Sequence, residues 1–265
     1  MTDSLSTKAY HHIQRKLLSG EWGSGDVLSE LSVAQEMGIS RTPVREAFRN
    51  LEQEGVLEQV PRFGTRVRSL DRKDMVELFE LREALEPYAV AQAAGRLNVE
   101  DRETLRALCA EFKLTASDLR QKGKSKPDAG MMKRLMSADM AFHQLLIRAS
   151  GNRRMMKIVA ESRVLAQIFT TSRQEHDIKV IEQTYQHHIS ILEAVESGRG
   201  DTAREMMAEH IRASMNEALA HYDRQHAAAD TRSISLGLPE EMLTELHRIE
   251  KHGKAIASRK RVKAS

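Results

Sequence analysis

Cysteine is all but missing from this chain of 265 residues, with Cys109 the single one. A lone thiol rules out an intrachain disulfide and with it the disulfide-stapled secreted scaffolds, so a reducing cytoplasm is the expected setting. On a helix, Cys109 reads as a small buried apolar residue. Long hydrophobic runs are missing too. No stretch approaches the roughly 18 apolar residues that a membrane helix needs, and no membrane partner is expected. Met1 to Lys8 lack the basic start and apolar core of a secretory signal. Nor is there a broad excess of positive charge. The net charge is +3, yet residues 1–70 hold nine Lys/Arg against nine Asp/Glu, and residues 71–225 hold 24 of each. All of the excess sits in residues 226–265, with eight basic and five acidic side chains. A nucleic-acid reading must therefore rest on local placement. What is present suits a globular protein of one large or two ordinary domains: 40% hydrophobic residues and a mean hydropathy of −0.50.

Tyr10, Ile13 and Leu17 recur at i, i+3, i+7 and predict a first helix ending near Gly20. A glycine-rich connector, Glu21–Asp26, leads to a short helix over about Glu30–Met37, with Leu31, Ala34 and Met37 toward a core. Gly38 stands where that helix stops and the chain turns. Thr42 and Pro43 start the next helix: a capping hydroxyl, then a proline at the first helical position, where its missing N–H costs nothing. Val44, Phe48 and Leu51 make its inward stripe, while Arg41, Arg45 and Arg49 repeat every four residues on another side. An N-terminal turn carrying Arg41, Thr42 and Arg45 can enter a major groove, where arginine pairs bidentately with guanine O6 and N7. A solvated basic face paired with Glu46 and Glu52 is the plainer alternative. Two β-rich runs, Gly55–Val60 and Thr65–Arg68, flank the turn Pro61-Arg62-Phe63-Gly64 and predict a hairpin. Arg62 at its tip is placed for a phosphate or the minor groove. Short helix, turn, second helix and hairpin make a winged helix-turn-helix.

Leu28-Ser29-Glu30, the run Ser40-Arg41-Thr42-Pro43-Val44-Arg45-Glu46-Ala47, and Gly55 with the Pro61–Gly64 turn resemble the GntR family of bacterial regulators over about residues 8–68. The resemblance implies a DNA-binding set of Arg41, Thr42, Pro43, Arg45, Arg49, Arg62 and Gly64. In it Arg41, Thr42 and Arg45 would contact DNA, Arg49 would support them, and Gly64 would let the wing approach the backbone. Where some FadR-type relatives carry an arginine in the preceding helix this chain has Leu31, so one base contact of that branch is not carried over.

From Asp71 the β-branched runs vanish and helical periodicity takes over. Six helices are predicted over about 72–96, 100–121, 127–149, 153–172, 177–197 and 201–223. Polar residues on their inward stripes are informative, because buried polar groups need partners. Asp139 and His143 stand at i and i+4 on a stripe with Met132, Leu135 or Met136, and Leu146. His188 shares a stripe with Ile181, Tyr185, Leu192 and Val195, and His210 one with Ala203, Met207 and Ser214. Three imidazoles and a carboxylate from three helices of one bundle form a divalent-metal constellation. Each histidine taken alone reads more readily as a hydrogen-bonded core residue. His187 is the competitor of His188, about 100° off the stripe.

Asp139-Met-Ala-Phe-His143 with Ala149-Ser150-Gly151-Asn152, then His188 with Ile191-Leu192-Glu193-Ala194, then His210, resemble the FCD effector domain of FadR-type GntR proteins, over about residues 72–222. Six helices suggest its smaller subgroup. The resemblance implies that Asp139, His143, His188 and His210 hold a divalent ion, zinc or nickel. It also implies that Arg82 reaches the effector pocket, where a guanidinium can clamp a carboxylate; the alternative for Arg82 is a surface ion pair with Glu86.

The expected architecture is mainly α. A winged helix-turn-helix occupies residues 1–70, and an antiparallel six-helix bundle for effector binding and dimerisation occupies residues 71–225. A basic tail over 226–265 would hold a linker (226–236) and at most a short helix over Pro239–Lys254. The expected function is a cytoplasmic, non-enzymatic repressor. It would bind a palindromic double-stranded operator as a homodimer, under control of a small carboxylate metabolite. Two rivals remain: a metal-dependent hydrolase fused to a DNA-binding module, and a DNA-binding regulator whose helical domain only dimerises.

Overall fold

The computed structural model describes residues 4–61, 64–171 and 177–236. The tip of the wing with Arg62, and everything after Leu236, lie outside the described residues. α1 (Leu5–Leu18) starts at a Ser4 cap whose hydroxyl accepts from the Thr7 N–H, and it buries Ala9, Ile13 and Leu17. α2 (Glu30–Met37) ends at Gly38, whose φ of 65° is the left-handed conformation that stops a helix without penalty only in glycine. α3 (Arg41–Gln53) buries Val44, Ala47, Phe48 and Leu51 against α1 and α2.

Two local expectations are corrected here. The cap of α3 is Ser40, not Thr42, and Pro43 sits two residues into the helix. The first turn has no intrahelical partner for its N–H groups, so proline fits anywhere within it. In α2 the buried face is Val33 and Ala34 with Met37 partly buried, while Leu31 is 49% exposed.

The predicted hairpin is present as β2 (Leu57–Val60) and β3 (Gly64–Val67), paired antiparallel with Val60 opposite Gly64. A two-residue strand, β1 (Val27–Leu28), adds to the other edge of β3, giving the order β1-β3-β2. Two residues are too short to show an alternating pattern, so only the hairpin is readable in the sequence.

The helical region holds α4 (Arg72–Ala93), α5 (Val99–Gln121), α6 (Ala129–Ala149), α7 (Arg153–Thr171), α8 (Ile178–Glu196) and α9 (Gly200–Leu236). Side-chain caps from Asp71, Asn98, Asp128 and Asp177 set the starts of α4, α5, α6 and α8. Leu105, Phe112, Leu119, Leu135, Phe142, Leu146, Ile181, Ile191, Leu192 and Met207 fill the bundle. Burying each such side chain contributes about 1.5–3 kcal/mol. α9 runs through the expected linker at 226–236. Ala227, Ala228 and Ala229 favour helix, and no glycine or proline follows Gly200 until Gly237. The chain up to Leu219 packs as one compact unit, and a second begins at Ala220. Among the described residues no helix is long and apolar enough to cross a membrane.

The winged helix-turn-helix and the helical region meet within the first unit. Met140 of α6 and Leu165 of α7 pack against the hydrophobic core formed by α1, α2, α3 and the sheet. Tyr10 of α1 donates to Glu54 Oε2 at 2.7 Å, next to Glu161 and Lys157 of α7.

Candidate metal centre and DNA-binding surface

α3 presents Arg41, Thr42, Arg45 and Arg49 on its exposed side, with Pro43 half-buried at the root of the first turn. Neither Arg41 nor Arg45 pairs with Glu46 or Glu52. Both reach across to Glu30 at the start of α2: Arg41 Nη2 donates at 3.1 Å and Arg45 Nε at 3.2 Å. Burial raises the Glu30 pKa, but the two guanidiniums outweigh it and leave the carboxyl below its usual value. Glu30 thus gathers two half-exposed arginines at one end of α3, where exposed ion pairs in water are easily exchanged for bonds to phosphate or base. Arg49 has no ion pair among the described residues. Gly64 opens β3 with φ of 85°, a conformation that would strain any other residue at the turn end of the hairpin.

In the bundle, Asp139 and His143 come from α6, His188 from α8 and His210 from α9. One donor atom from each lies within 4.8 Å of all the others. His143 Nε2 is 3.2 Å from His210 Nε2, and His188 Nε2 is 3.3 Å from it. Asp139 Oδ1 lies 3.4 Å from His188 Nε2 and 3.7 Å from His143 Nε2. Donors at about 2.1 Å around a tetrahedral ion stand about 3.4 Å apart, so this spacing fits a first-row divalent metal.

The hydrogen bonding fits as well. His143 Nδ1 meets Glu86 of α4 at 2.5 Å, so the ring's proton sits there and its Nε2 lone pair faces the centre. Asp139 Oδ2 accepts from Arg163 of α7, which leaves Oδ1 turned to the imidazoles. The Nε2 atoms of the three imidazoles crowd together, and among the described residues His188 Nδ1 is buried with no hydrogen-bond partner. Phe142 stacks on the His188 ring at 4.0 Å and fixes its plane.

Electrostatics keep Asp139, His143 and His210 in their ligating forms. Burial pushes His143 down to about 4, helped by Arg163 and opposed by Glu86. Burial, then His188 and His143, hold His210 well below its usual value. For Asp139 burial works upward, but Arg163 and the histidines prevail and keep it ionised.

Beside this cluster lies a cavity of about 130 Å³, lined among others by Phe79, Arg82, Phe112, Asp139, Arg163, Thr184, His187, His210 and Ser214. Arg82 is buried rather than on the surface. Its Nε donates to Glu86 at 2.7 Å, and among the described residues Glu86 is its only hydrogen-bond partner. The ion pair with Glu86 and the position on the cavity wall therefore coexist.

Comparison with known proteins matches residues 5–67 to the model of "Bacterial regulatory proteins, gntR family" and residues 77–213 to that of the FCD domain. The chain belongs to the GntR regulators that carry an FCD domain. This GntR regulator is 28% identical over 218 residues to a "Probable D-xylose utilization operon transcriptional repressor" of Paenarthrobacter nicotinovorans, covering 82% of this chain and 90% of that one. It is 29% identical over 208 residues to an HTH-type regulator in an unstable DNA locus of Streptomyces ambofaciens, covering 78% and 82%. Among solved structures, E. coli McbR/YncC superposes with a TM-score of 0.71 at 19% identity, over 83% of this chain and all (100%) of that one; it shares the fold. The family is one of transcription regulators, not of enzymes.

Sequence reasoning missed two residues of the FCD site, Glu86 and Arg163. Both were signalled by charge on an apolar stripe. Met75, Phe79, Arg82 and Glu86 follow steps of 4, 3 and 4 on α4, and Met155, Val159 and Arg163 follow steps of 4 on α7.

Proposed function

We propose that this regulator binds a palindromic operator as a cytoplasmic homodimer. The reading extends to the FCD domain, which would hold a divalent ion, zinc or nickel, at Asp139, His143, His188 and His210. A small carboxylate would bind beside it against Arg82. The observation that carries the reading is the convergence of four donor atoms at ligand spacing on the edge of a cavity that also contains an underused guanidinium. Three nitrogens and one oxygen suit zinc or nickel better than magnesium or calcium. When bound, the ion would supply positive charge and open coordination for an anionic oxygen. Arg82 would fix the carboxylate's orientation, and Phe79 and Phe112 would exclude water from its carbon side. On the DNA side, Arg41, Thr42 and Arg45 would enter the major groove, supported by Arg49. Pro43 would shape that turn, and Gly64 with Arg62 would bring the wing to the backbone.

Ligand control requires different affinities in two states of the protein. α7 offers the route. Arg163 lies on the site, while Glu161 and Leu165 of the same helix lie against the DNA-binding core. The proposed mode is repression relieved by ligand, in line with the repressor to which this chain is similar.

The test is thermal unfolding of the purified protein against small carboxylates, before and after chelation, alongside operator selection from random DNA. A ligand bound only by the folded state raises the melting temperature. Stabilisation by one acid that disappears on chelation supports the reading. A protein that selects DNA but takes up no metal and responds to no acid would reduce the FCD domain to dimerisation.

A further inference from the structure

His187 belongs to none of the roles above, although it lines the cavity and touches the cluster. Its Nδ1 lies 3.3 Å from His210 Nδ1, with the two rings at 79°. Nitrogens at that distance share one hydrogen, so one ring donates and the other accepts. If His187 donates, the neutral His210 ring must carry its own hydrogen on Nε2. That hydrogen would point into the cluster, toward the Nε2 atoms of His143 and His188 at 3.2 and 3.3 Å, where it blocks ligation. If His210 donates, its Nε2 lone pair faces the centre. His187 is then the acceptor, and its remaining hydrogen sits on Nε2. No described residue is bonded to that nitrogen, and Arg82, Thr184 and Ser214 line the same cavity.

We propose that His187 is a positioning residue that fixes the ligating tautomer of His210 and presents its own Nε2–H to the cavity as a donor for an anionic ligand's oxygen. The inference rests on the metal reading above and deepens it. His143 is oriented in the same manner by Glu86, so two of the three ligand rings are each held through Nδ1 by a partner from another helix. An imidazole acceptor differs from a carboxylate in one respect that bears on function. It can donate onward to the ligand, whereas Glu86 only accepts, from His143 and Arg82 alike.

The experiment uses the full chain with Zn²⁺ as the probe, its affinity measured by competition with a chromophoric chelator. Loss of such an orienting partner weakens metal binding by about 10–100-fold, and this is expected for His187→Phe. His187→Asn places an amide oxygen where Nδ1 stood and restores affinity to within a few-fold. In long-range ¹H–¹⁵N spectra of the zinc-loaded wild type, His187 shows the Nε2–H tautomer and its resonance moves on titration with acetate. Wild-type affinity in His187→Phe, a hydrogen on His187 Nδ1, or a resonance indifferent to acetate each overturns the proposal. A wild type that takes up no Zn²⁺ is a separate outcome: the metal reading falls, and this one with it.

Discussion

Glu86→Gln is the substitution that asks most of the buried site. Glu86 is the one carboxylate wholly sealed from solvent among the described residues. It accepts from Arg82 Nε at 2.7 Å and from His143 Nδ1 at 2.5 Å, with Arg163 Nη1 3.4 Å away. Burial alone would push its pKa up, but Arg82, His143 and Arg163 hold it well below the usual range. An exposed ion pair contributes only about 0–1 kcal/mol. That limit does not apply here, because the Arg82, Arg163 and Glu86 side chains are 7%, 5% and 0% exposed. Removing one partner of a buried pair costs about 3–5 kcal/mol, chiefly because the remaining charge is left uncompensated. Glutamine keeps the volume, so no cavity confuses the result. Its oxygen can satisfy one donor, while its amide turns hydrogens toward another cation. For a folded unit of this size the loss corresponds to a melting temperature about 6–20 °C lower. The assay is urea unfolding of the chelated protein, followed by circular dichroism, so that metal binding does not enter. Zinc affinity forms an independent arm and should fall about 10–100-fold as His143 loses its tautomer. A destabilisation under about 1 kcal/mol would show that solvent reaches this triad after all, and would sink the reasoning.

Three further outcomes follow from other parts of the molecule. Arg45→Ala should weaken binding to a site selected from random DNA by about 1–3 kcal/mol, roughly 5- to 150-fold, leaving the unfolding midpoint unchanged; fluorescence anisotropy measures it, and an unchanged affinity removes Arg45 from the base-reading set. Cys109, pushed up to about 12 by burial and by Glu196, should ignore a thiol reagent in native buffer and react stoichiometrically in denaturant. Glu54 is raised by burial, lowered by the Tyr10 hydrogen bond and raised by Glu161, with a net rise. A carboxyl with a raised folded pKa favours folding most below its unfolded pKa of about 4.3 and loses that contribution as pH rises through the folded value. Glu54→Gln, which still accepts from Tyr10, should therefore be more stable than wild type at pH near 7 and should lose that advantage near pH 4; denaturant titrations at the two pH values decide it, and a constant difference would contradict it.

Much of this was legible in the sequence because local rules and tertiary structure agree there. Gly38, the stripe Val44, Phe48, Leu51 and the two β-rich runs of the hairpin each have one physical reading, and the folded chain uses it. His188 and His210 stood out because an imidazole on an apolar stripe demands a partner, and each is buried within reach of the other. Where the reading stopped short, the missing information was the identity of that partner. The plainer alternative paired Arg41 and Arg45 with Glu46 and Glu52 by nearness in sequence, whereas the turn between α2 and α3 brings them to Glu30 at the start of α2. Arg82 and Glu86, spaced i and i+4, have the signature of a solvated surface pair. Periodicity gives the angle of a side chain around its own helix but not what stands opposite. Here α7 stands opposite and places Arg163 between Glu86 and Asp139, which converts an ordinary pair into a buried network spanning α4, α6 and α7. A single charge on an apolar stripe is ambiguous. Arg82, Glu86, Asp139 and Arg163 together carry two positive and two negative charges. That balance lets a bundle bury them, and it could have been sought by matching charges across stripes rather than along them.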